Sequence, residues 1–147
     1  MDHDRIVDLL NDLIHVAEDS HLNYQRAAED CPDADLKSLL NDMSAGRGAM
    51  VRDLQLQVAA IGGAPEATGT ILGQAHRMVE QIRSALGNLA PAAILEDLVR
   101  REEAMLQRFQ EAAGNDALPD DQRRRLSGHV ARITADRDRL RGRLQAA

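Results

Sequence analysis

The sequence predicts an all-α protein, organised as a four-helix bundle. Two observations support this prediction. The 147 residues are dominated by strong helix formers, and the only aromatic side chains are Tyr24 and Phe109. Apolar residues also recur at alternating steps of about three and four residues in four long stretches, the spacing that lines one face of a helix. The length is that of one domain, so residues 1–147 are expected to share a single core.

The first two helices are predicted to form an antiparallel hairpin. Helix one runs from about His3 to Glu29, and the short break that contains Pro32 leads into helix two, from about Asp33 to Ile61. Both helices carry a seam of mostly apolar residues along one face. Helix two is predicted to stop at Gly62-Gly63-Ala64-Pro65, because this sequence is a strong helix breaker.

Two further long helices are predicted in the second half of the chain, at Pro91–Ala113 and from about Asp120 to Leu144. A fifth, shorter amphipathic helix is expected between them and helix two, from about Thr70 to Leu86. Two long hairpins joined by a long crossover have the connectivity of ferritin-like four-helix bundles. The predicted fold is therefore a ferritin-like bundle whose crossover carries the fifth helix.

Three charged residues occupy positions in the apolar seams: Glu102 in the third long helix, Arg47 in helix two and Arg137 in the last helix. A buried charge costs several kcal/mol unless an opposite charge or hydrogen bonds compensate it. We therefore predict that Glu102 is held by Arg47, Arg137 or both in a buried ion-pair core. The alternative is that the helices rotate so that all three charges reach water.

Charge and composition narrow the classes of function. No stretch has the roughly 18 to 20 uninterrupted apolar residues of a membrane span, and the acidic N-terminus does not resemble a signal peptide, so a cytoplasmic protein is expected. Arginines cluster between Arg123 and Arg143, which could indicate a nucleic-acid patch. With a net charge of −6, solvated helix faces or contacts with an acidic subunit explain them more simply, and nucleic acid is not an expected partner.

Short motifs along the chain resemble those of a known family, the bacterial ferritin-like four-helix-bundle family labelled as a domain of unknown function. The resemblance covers Ile6 to Leu144. It is carried by the order and spacing of Leu10-Asn11-Asp12-Leu13-Ile14, Tyr24 with Ala27-Ala28-Glu29, Gly62-Gly63-Ala64-Pro65, Gly69-Thr70 with Gly73 and His76-Arg77, Ala93-Ile94-Leu95-Glu96, Arg100 with Glu102, and Leu118-Pro119. Membership implies a ferritin-like bundle and brings no established activity.

The wider ferritin-like superfamily binds two irons through a Glu from each of two helices and a Glu-x-x-His pair from each of the other two. Glu102 resembles one of these six ligands, and the other five do not occur at matching positions. The family tends to have a His-Asp pair where this chain has Arg137-Asp138. The resemblance therefore implies a degenerate di-iron site in which a cation replaces a ligand.

We expect a protein without enzymatic activity or cofactor, acting as a homo-oligomer, such as a homodimer, or through an unknown protein partner. The alternative is a metalloprotein that binds or oxidises iron at an atypical site. Glu18 beside the seam of helix one and His129 beside Val130 are the weak candidates that could join Glu102 as metal ligands. Three such ligands would have to converge within about 2.0 to 2.2 Å of one metal ion.

Overall fold

Four α-helices make up most of the chain that the computed structural model describes, residues 2–66 and 91–146. They are α1 (His3–Glu29), α2 (Ala34–Ala60), α3 (Pro91–Ala113) and α4 (Asp120–Ala146). α1 and α3 have the predicted bounds, α2 is shorter by one residue at each end, and α4 continues past the predicted end at Leu144. The expected fifth helix, from about Thr70 to Leu86, lies outside the described residues. No helix within the described ranges is long and apolar enough to cross a membrane.

Aspartate side chains cap the first two helices. Asp2 accepts a hydrogen bond from the backbone N–H of Arg5 at 3.0 Å, and Asp33 accepts from Asp35 at 2.9 Å and from Leu36 at 3.3 Å. These bonds satisfy N–H groups that have no partner inside the helix, and a negative charge interacts favourably with the positive N-terminal end of the helix dipole. The Asp33 cap allows α2 to begin directly after the short turn at Asp30–Asp33.

The helices pack as two antiparallel hairpins, α1 with α2 and α3 with α4, and the hairpins meet where α1 faces α3 and α2 faces α4. Contacts between Arg47 and Asp136 and between Asp53 and Arg125 show that α2 and α4 are antiparallel. α2 and α3 therefore run in the same direction, and the end of α2 and the start of α3 lie at opposite ends of the bundle. Within the described residues, the fold is an all-helical bundle without strands.

The apolar core has two parts. One cluster, built around residues such as Leu10, Leu54, Phe109 and Leu126, fills the end of the bundle where α1 begins. The other contains Leu36, Leu40, Met43, Leu95, Leu98 and Leu140 and fills the end where α1 finishes. In every helix, the residues that contribute to one cluster precede those of the other, with a polar level between them. That level is the candidate site described below.

The chain leaving α2 is fixed against α1. Gly62 has a φ of 77°, a left-handed conformation that favours glycine, and a Cβ on Gly63 would lie only 2.5 Å from Val7 Cγ2. The Asn11 side chain donates to the Ala64 carbonyl at 3.2 Å and accepts from the Glu66 N–H at 3.0 Å. The Gly62-Gly63 breaker therefore ends the helix and also allows this close approach to α1.

Candidate functional site

Arg47 is the largest fully buried side chain of the described residues, and its guanidinium lies where all four helices meet. Nη2 donates to Glu102 Oε2 of α3, and Nη1 donates to Asp136 Oδ2 of α4 at 3.0 Å. Nε donates to Ser20 Oγ of α1 at 3.1 Å. One cation of α2 therefore bonds to each of the other three helices, so that the bundle is crosslinked at its centre.

Tyr24 completes this arrangement. Its hydroxyl donates to Glu102 Oε1 at 2.5 Å, and its ring centroid lies 5.6 Å from Arg47 Cζ, a distance typical of a cation–π contact. Both oxygens of Glu102 are thus engaged, one by a guanidinium and one by a phenol. We call Ser20, Tyr24, Arg47, Glu102 and Asp136 the central charge cluster.

Burial sets the protonation behaviour of the cluster. Desolvation raises the pKa of Glu102; the Arg47 charge and the Tyr24 hydrogen bond oppose this rise, and the Asp136 charge adds to it. Desolvation and the neighbouring Glu102 charge raise the pKa of Tyr24 well above its usual value. The phenol consequently stays protonated near neutral pH and remains a hydrogen-bond donor.

Two arginines at the edge of the cluster supplement the charge of Arg47. Arg132 Nε lies 3.3 Å from Asp136 Oδ2, and Arg139 Nη1 lies 3.6 Å from Asp136 Oδ1. Both arginines are about half exposed, so their charges are screened by water more than that of Arg47 is. Asp136 therefore faces cations on the inside and at the surface, whereas within the described residues Glu102 forms an ion pair with Arg47 alone.

The structure brings Arg47 and Glu102 together, but the predicted contact between Arg137 and Glu102 does not form. The Arg137 side chain is partly exposed and pairs with its neighbour Asp138 at 3.2 Å. The physical reason is the orientation of α4 about its own axis. In this orientation Asp136 faces Arg47 and Arg137 lies at the rim, so that an acid rather than a second cation enters the cluster.

The weak metal candidates Glu18 and His129 do not converge with Glu102. His129 Nε2 bonds Asp53 Oδ2 at 2.7 Å between α2 and α4, and its ring packs edge-on against Phe109. Glu18 is buried on α1, where desolvation raises its pKa despite the nearby His21. Across residues 2–66 and 91–146, no three His, Cys, Asp or Glu side chains are grouped so that they could hold a metal ion.

Asp136 and Tyr24 were not predicted as partners of the buried ion pair. At about 100° per residue, positions 136 and 137 lie on either side of the seam formed by Leu126, Ile133 and Leu140, about 60° and about 40° from its centre, a difference too small for periodicity to choose between them. The charges of the two residues could have distinguished Asp136 from Arg137, because a buried arginine favours an acidic neighbour. Tyr24 could have been predicted as a partner because it lies in the seam of helix one, and a buried tyrosine hydroxyl usually forms a hydrogen bond.

A cleft of 230 Å³ leads from the surface to the cluster between α1 and α3. Glu102 and Tyr24 lie among its lining residues, together with apolar side chains of Val16, Leu98 and Met105. α1 and α3 share a less extensive contact than the two helices of either hairpin, which leaves room for this opening. The buried carboxylate is therefore next to a space that a small molecule could enter.

These features define an all-helical bundle whose centre is a buried charge cluster. The chain belongs to the family described as "Domain of unknown function (DUF2383)", which matches residues 5–115. Ser20, Tyr24, Arg47 and Glu102 fall within the matched part, whereas Asp136 lies beyond it. No curated protein matches the chain.

Proposed function

We propose that this protein is a non-enzymatic, ferritin-like bundle protein of the bacterial cytoplasm that has lost a di-iron ligand set and acts through self-association or a partner protein. In this proposal the central charge cluster is structural. It holds the four helices in one register and leaves the outer faces of the bundle to carry the function.

The observation that carries this proposal is the fully buried guanidinium of Arg47 in contact with Glu102. A metal ion at this level would have to displace Arg47 from the carboxylate and would be repelled by its positive charge. Asp136 also accepts a bond from Arg47. The two carboxylates of the cluster therefore already have a cation, and that cation belongs to the chain.

The ferritin-like part of the proposal is supported by the arrangement of the helices. α2 and α3 run in the same direction while each hairpin is antiparallel, as expected of a bundle with one long crossover. The inward-facing cluster, contributed by all four helices, is also what a bundle would retain if its inward-facing metal ligands had been replaced. This placement favours descent from a metal-binding scaffold.

The second candidate function is iron binding at an atypical site around Glu102. The observation that favours it is the cleft, because it brings the Glu102 carboxylate within reach of an ion arriving from solvent, with Asp19 in the same lining. Carboxylates are suitable ligands for iron, but an ion at this site would need further ligands and a displaced Arg47.

Elemental analysis of protein purified without chelators or an affinity tag separates the two candidates. We expect far less than one transition-metal ion per chain, both in the wild type and after addition of ferrous iron followed by desalting. Glu102→Gln and Glu103→Gln form a matched pair, since Glu103 is a surface residue paired with Arg141. Iron at one or more ions per chain in the wild type and in Glu103→Gln, but not in folded Glu102→Gln, would instead establish the metal site.

Light scattering over a concentration series tests the self-association that the first candidate includes. We expect a mass of two or more chains that persists on dilution into the low micromolar range. A monomer at every concentration would exclude the homo-oligomer and leave only a partner protein. Neither result depends on the metal content, so the two parts of the proposal can fail separately.

A further inference from the structure

The outward face of α2, opposite the core, has a symmetric arrangement of small, apolar and charged side chains. Six exposed positions follow each other at steps of four and three residues, so they form one stripe along the helix. In chain order they are Ser38, Asp42, Ala45, Ala49, Arg52 and Leu56. Leu56 is 66% exposed and is the large apolar side chain most open to solvent in the described part of the chain.

The two charged residues of this face lack partners. Neither Asp42 nor Arg52 forms a hydrogen bond or ion pair through its side chain within residues 2–66 and 91–146. They cannot pair with each other, because ten residues of helix separate them by about 15 Å. The face therefore presents a free carboxylate toward one end and a free guanidinium toward the other.

The order of the residues is self-complementary. Positions 38 and 56, 42 and 52, and 45 and 49 are each symmetric about position 47. If two copies of α2 pack antiparallel around a two-fold axis at this level, every residue of the stripe faces its symmetry mate on the other copy. Asp42 of each copy then faces Arg52 of the other, Ala45 faces Ala49, and Leu56 covers Ser38.

The size and the charge of the side chains both favour this antiparallel pairing. Helix axes pack about 8–10 Å apart, and small residues at the contact allow the shorter separations. With Ala45 and Ala49 at the centre, the long side chain of Arg52 can reach a carboxylate on the facing helix, as charged residues do beside a coiled-coil seam. A parallel pairing would instead bring like charges together and is disfavoured.

We propose that the outward face of α2 binds a second copy of this chain in an antiparallel, two-fold symmetric contact. Two Asp42–Arg52 ion pairs flank a central contact between Ala45 and Ala49, and the exposed Leu56 becomes covered. This inference rests on the self-association proposed above and assigns it a surface and a geometry.

Charge reversal tests the contact, with the Kd of the dimer measured by light scattering over a concentration series. Asp42→Arg and Arg52→Asp should each raise this Kd at least about tenfold, because two like-charge pairs replace two ion pairs. The double variant restores opposite charges in the reverse order, so its Kd should return to within about threefold of the wild-type value. Asp42→Arg shifts the net charge of −6 toward zero and Arg52→Asp shifts it away, so a loss in both cannot come from general repulsion.

The exposed face of α4 provides matched controls. Arg124 and Asp138 are surface charges of opposite sign, but each is already paired within α4. Arg124→Asp and Asp138→Arg should therefore leave the Kd of the dimer unchanged. Ala49→Gln should raise it at least about tenfold by holding the two helices apart, whereas Ala135→Gln, at an exposed position of α4, should not. Glutamine favours helix at both positions.

The outcomes separate this inference from the proposed function. A monomeric wild type at every concentration would overturn both this contact and the proposed self-association, and would leave the α2 face to a different occupant. A wild-type dimer whose Kd does not change in Asp42→Arg, Arg52→Asp and Ala49→Gln would overturn the assigned surface alone.

Failure of the double variant to recover association would overturn the antiparallel pairing, and equal losses in the α4 controls would overturn the assignment to α2. Far-ultraviolet circular dichroism shows whether each variant is folded. If one charge-reversal variant does not fold, the other variant and Ala49→Gln still decide the outcome.

Discussion

The two apolar ends of the bundle and the central charge cluster are held together by different forces. The ends contain close-packed aliphatic side chains, with Leu10, Leu40, Leu54 and Leu140 fully buried. The middle contains a cation, two carboxylates and a phenol that are equally inaccessible to water. Burial of aliphatic groups stabilises in proportion to area and has little directional preference. A guanidinium bonded to two carboxylates is directional and depends on atomic positions.

This difference indicates that the ends and the middle of the core have different roles. The apolar ends would tolerate small shifts of one helix along another, because leucine can pack against several neighbours. The cluster permits one register, since Arg47 reaches Ser20, Glu102 and Asp136 simultaneously. We infer that the ends supply most of the stability, while the middle selects the alignment of the helices.

Glu102→Ala should lower the free energy of unfolding by about 3–5 kcal/mol. The substitution leaves Arg47 buried without its main partner and removes the acceptor of the Tyr24 hydroxyl. Urea unfolding followed by circular dichroism measures the loss. Glu103→Ala is the matched control, because Glu103 is a partly exposed neighbour in a surface pair with Arg141 and should cost no more than about 1 kcal/mol.

A fully apolar replacement of the cluster separates stability from alignment. The variant Tyr24→Phe, Arg47→Met, Glu102→Leu and Asp136→Leu should be close to wild type in stability, or more stable by about 1–4 kcal/mol, because no buried charge is left without a partner. Its NMR spectrum should nevertheless show broader or duplicated signals, as several helix registers become accessible. A single set of sharp signals would mean that the apolar ends alone specify the register.

The stability of the apolar end should depend on side-chain volume, whereas that of the middle depends on charge. Gly63→Ala would place its Cβ 2.5 Å from Val7 Cγ2 and 3.0 Å from Val58 Cγ1, so we expect a loss of about 1–3 kcal/mol. Gly128→Ala is a suitable control, since nothing lies within 4 Å of its Cβ position and alanine in a helix gains about 0.5–1 kcal/mol over glycine. Thermal unfolding of both variants should therefore shift in opposite directions.

The pH dependence of stability should differ in sign between Glu102 and Asp53. The raised pKa of Glu102 means that its contribution is fully present below the unfolded value of 4.5 and is lost as the pH rises through the folded value. For Asp53, burial acts to raise the pKa, but the hydrogen bonds from Gln57 and His129 and the nearby cations lower it in sum. Its contribution is present above the unfolded value of 3.8 and is lost as the pH falls through the folded value.

Unfolding of the wild type, Glu102→Gln and Asp53→Asn between about pH 3 and pH 7 measures this contrast. Relative to Glu102→Gln, the wild type should become less stable from acid to neutral pH, whereas relative to Asp53→Asn it should become more stable. Parallel curves for the two comparisons would show that Glu102 is not desolvated as the structure indicates.

Much of the bundle could be predicted from the sequence, because helix seams and breakers are local signals. The bounds of the described helices, the hairpin turn at Pro32 and the seam positions of Arg47 and Glu102 follow from periodicity and from Pro and Gly positions. The pairing within the cluster depends on small rotations of helices about their axes, which periodicity alone does not determine. The cleft beside Tyr24 depends on how closely α1 and α3 pack, which also has no local signal.

Arg137→Ala should have the smallest effect, below about 0.5 kcal/mol, because the side chain is partly exposed and its partner Asp138 is a surface neighbour. Asp136→Ala, one residue earlier, should be far more costly, since it removes a buried acceptor of Arg47. Urea unfolding of the two variants under the same conditions compares adjacent positions of one helix. If Arg137→Ala cost more than Asp136→Ala, α4 would have to be rotated from its described orientation, with a second arginine rather than an acid beside Glu102.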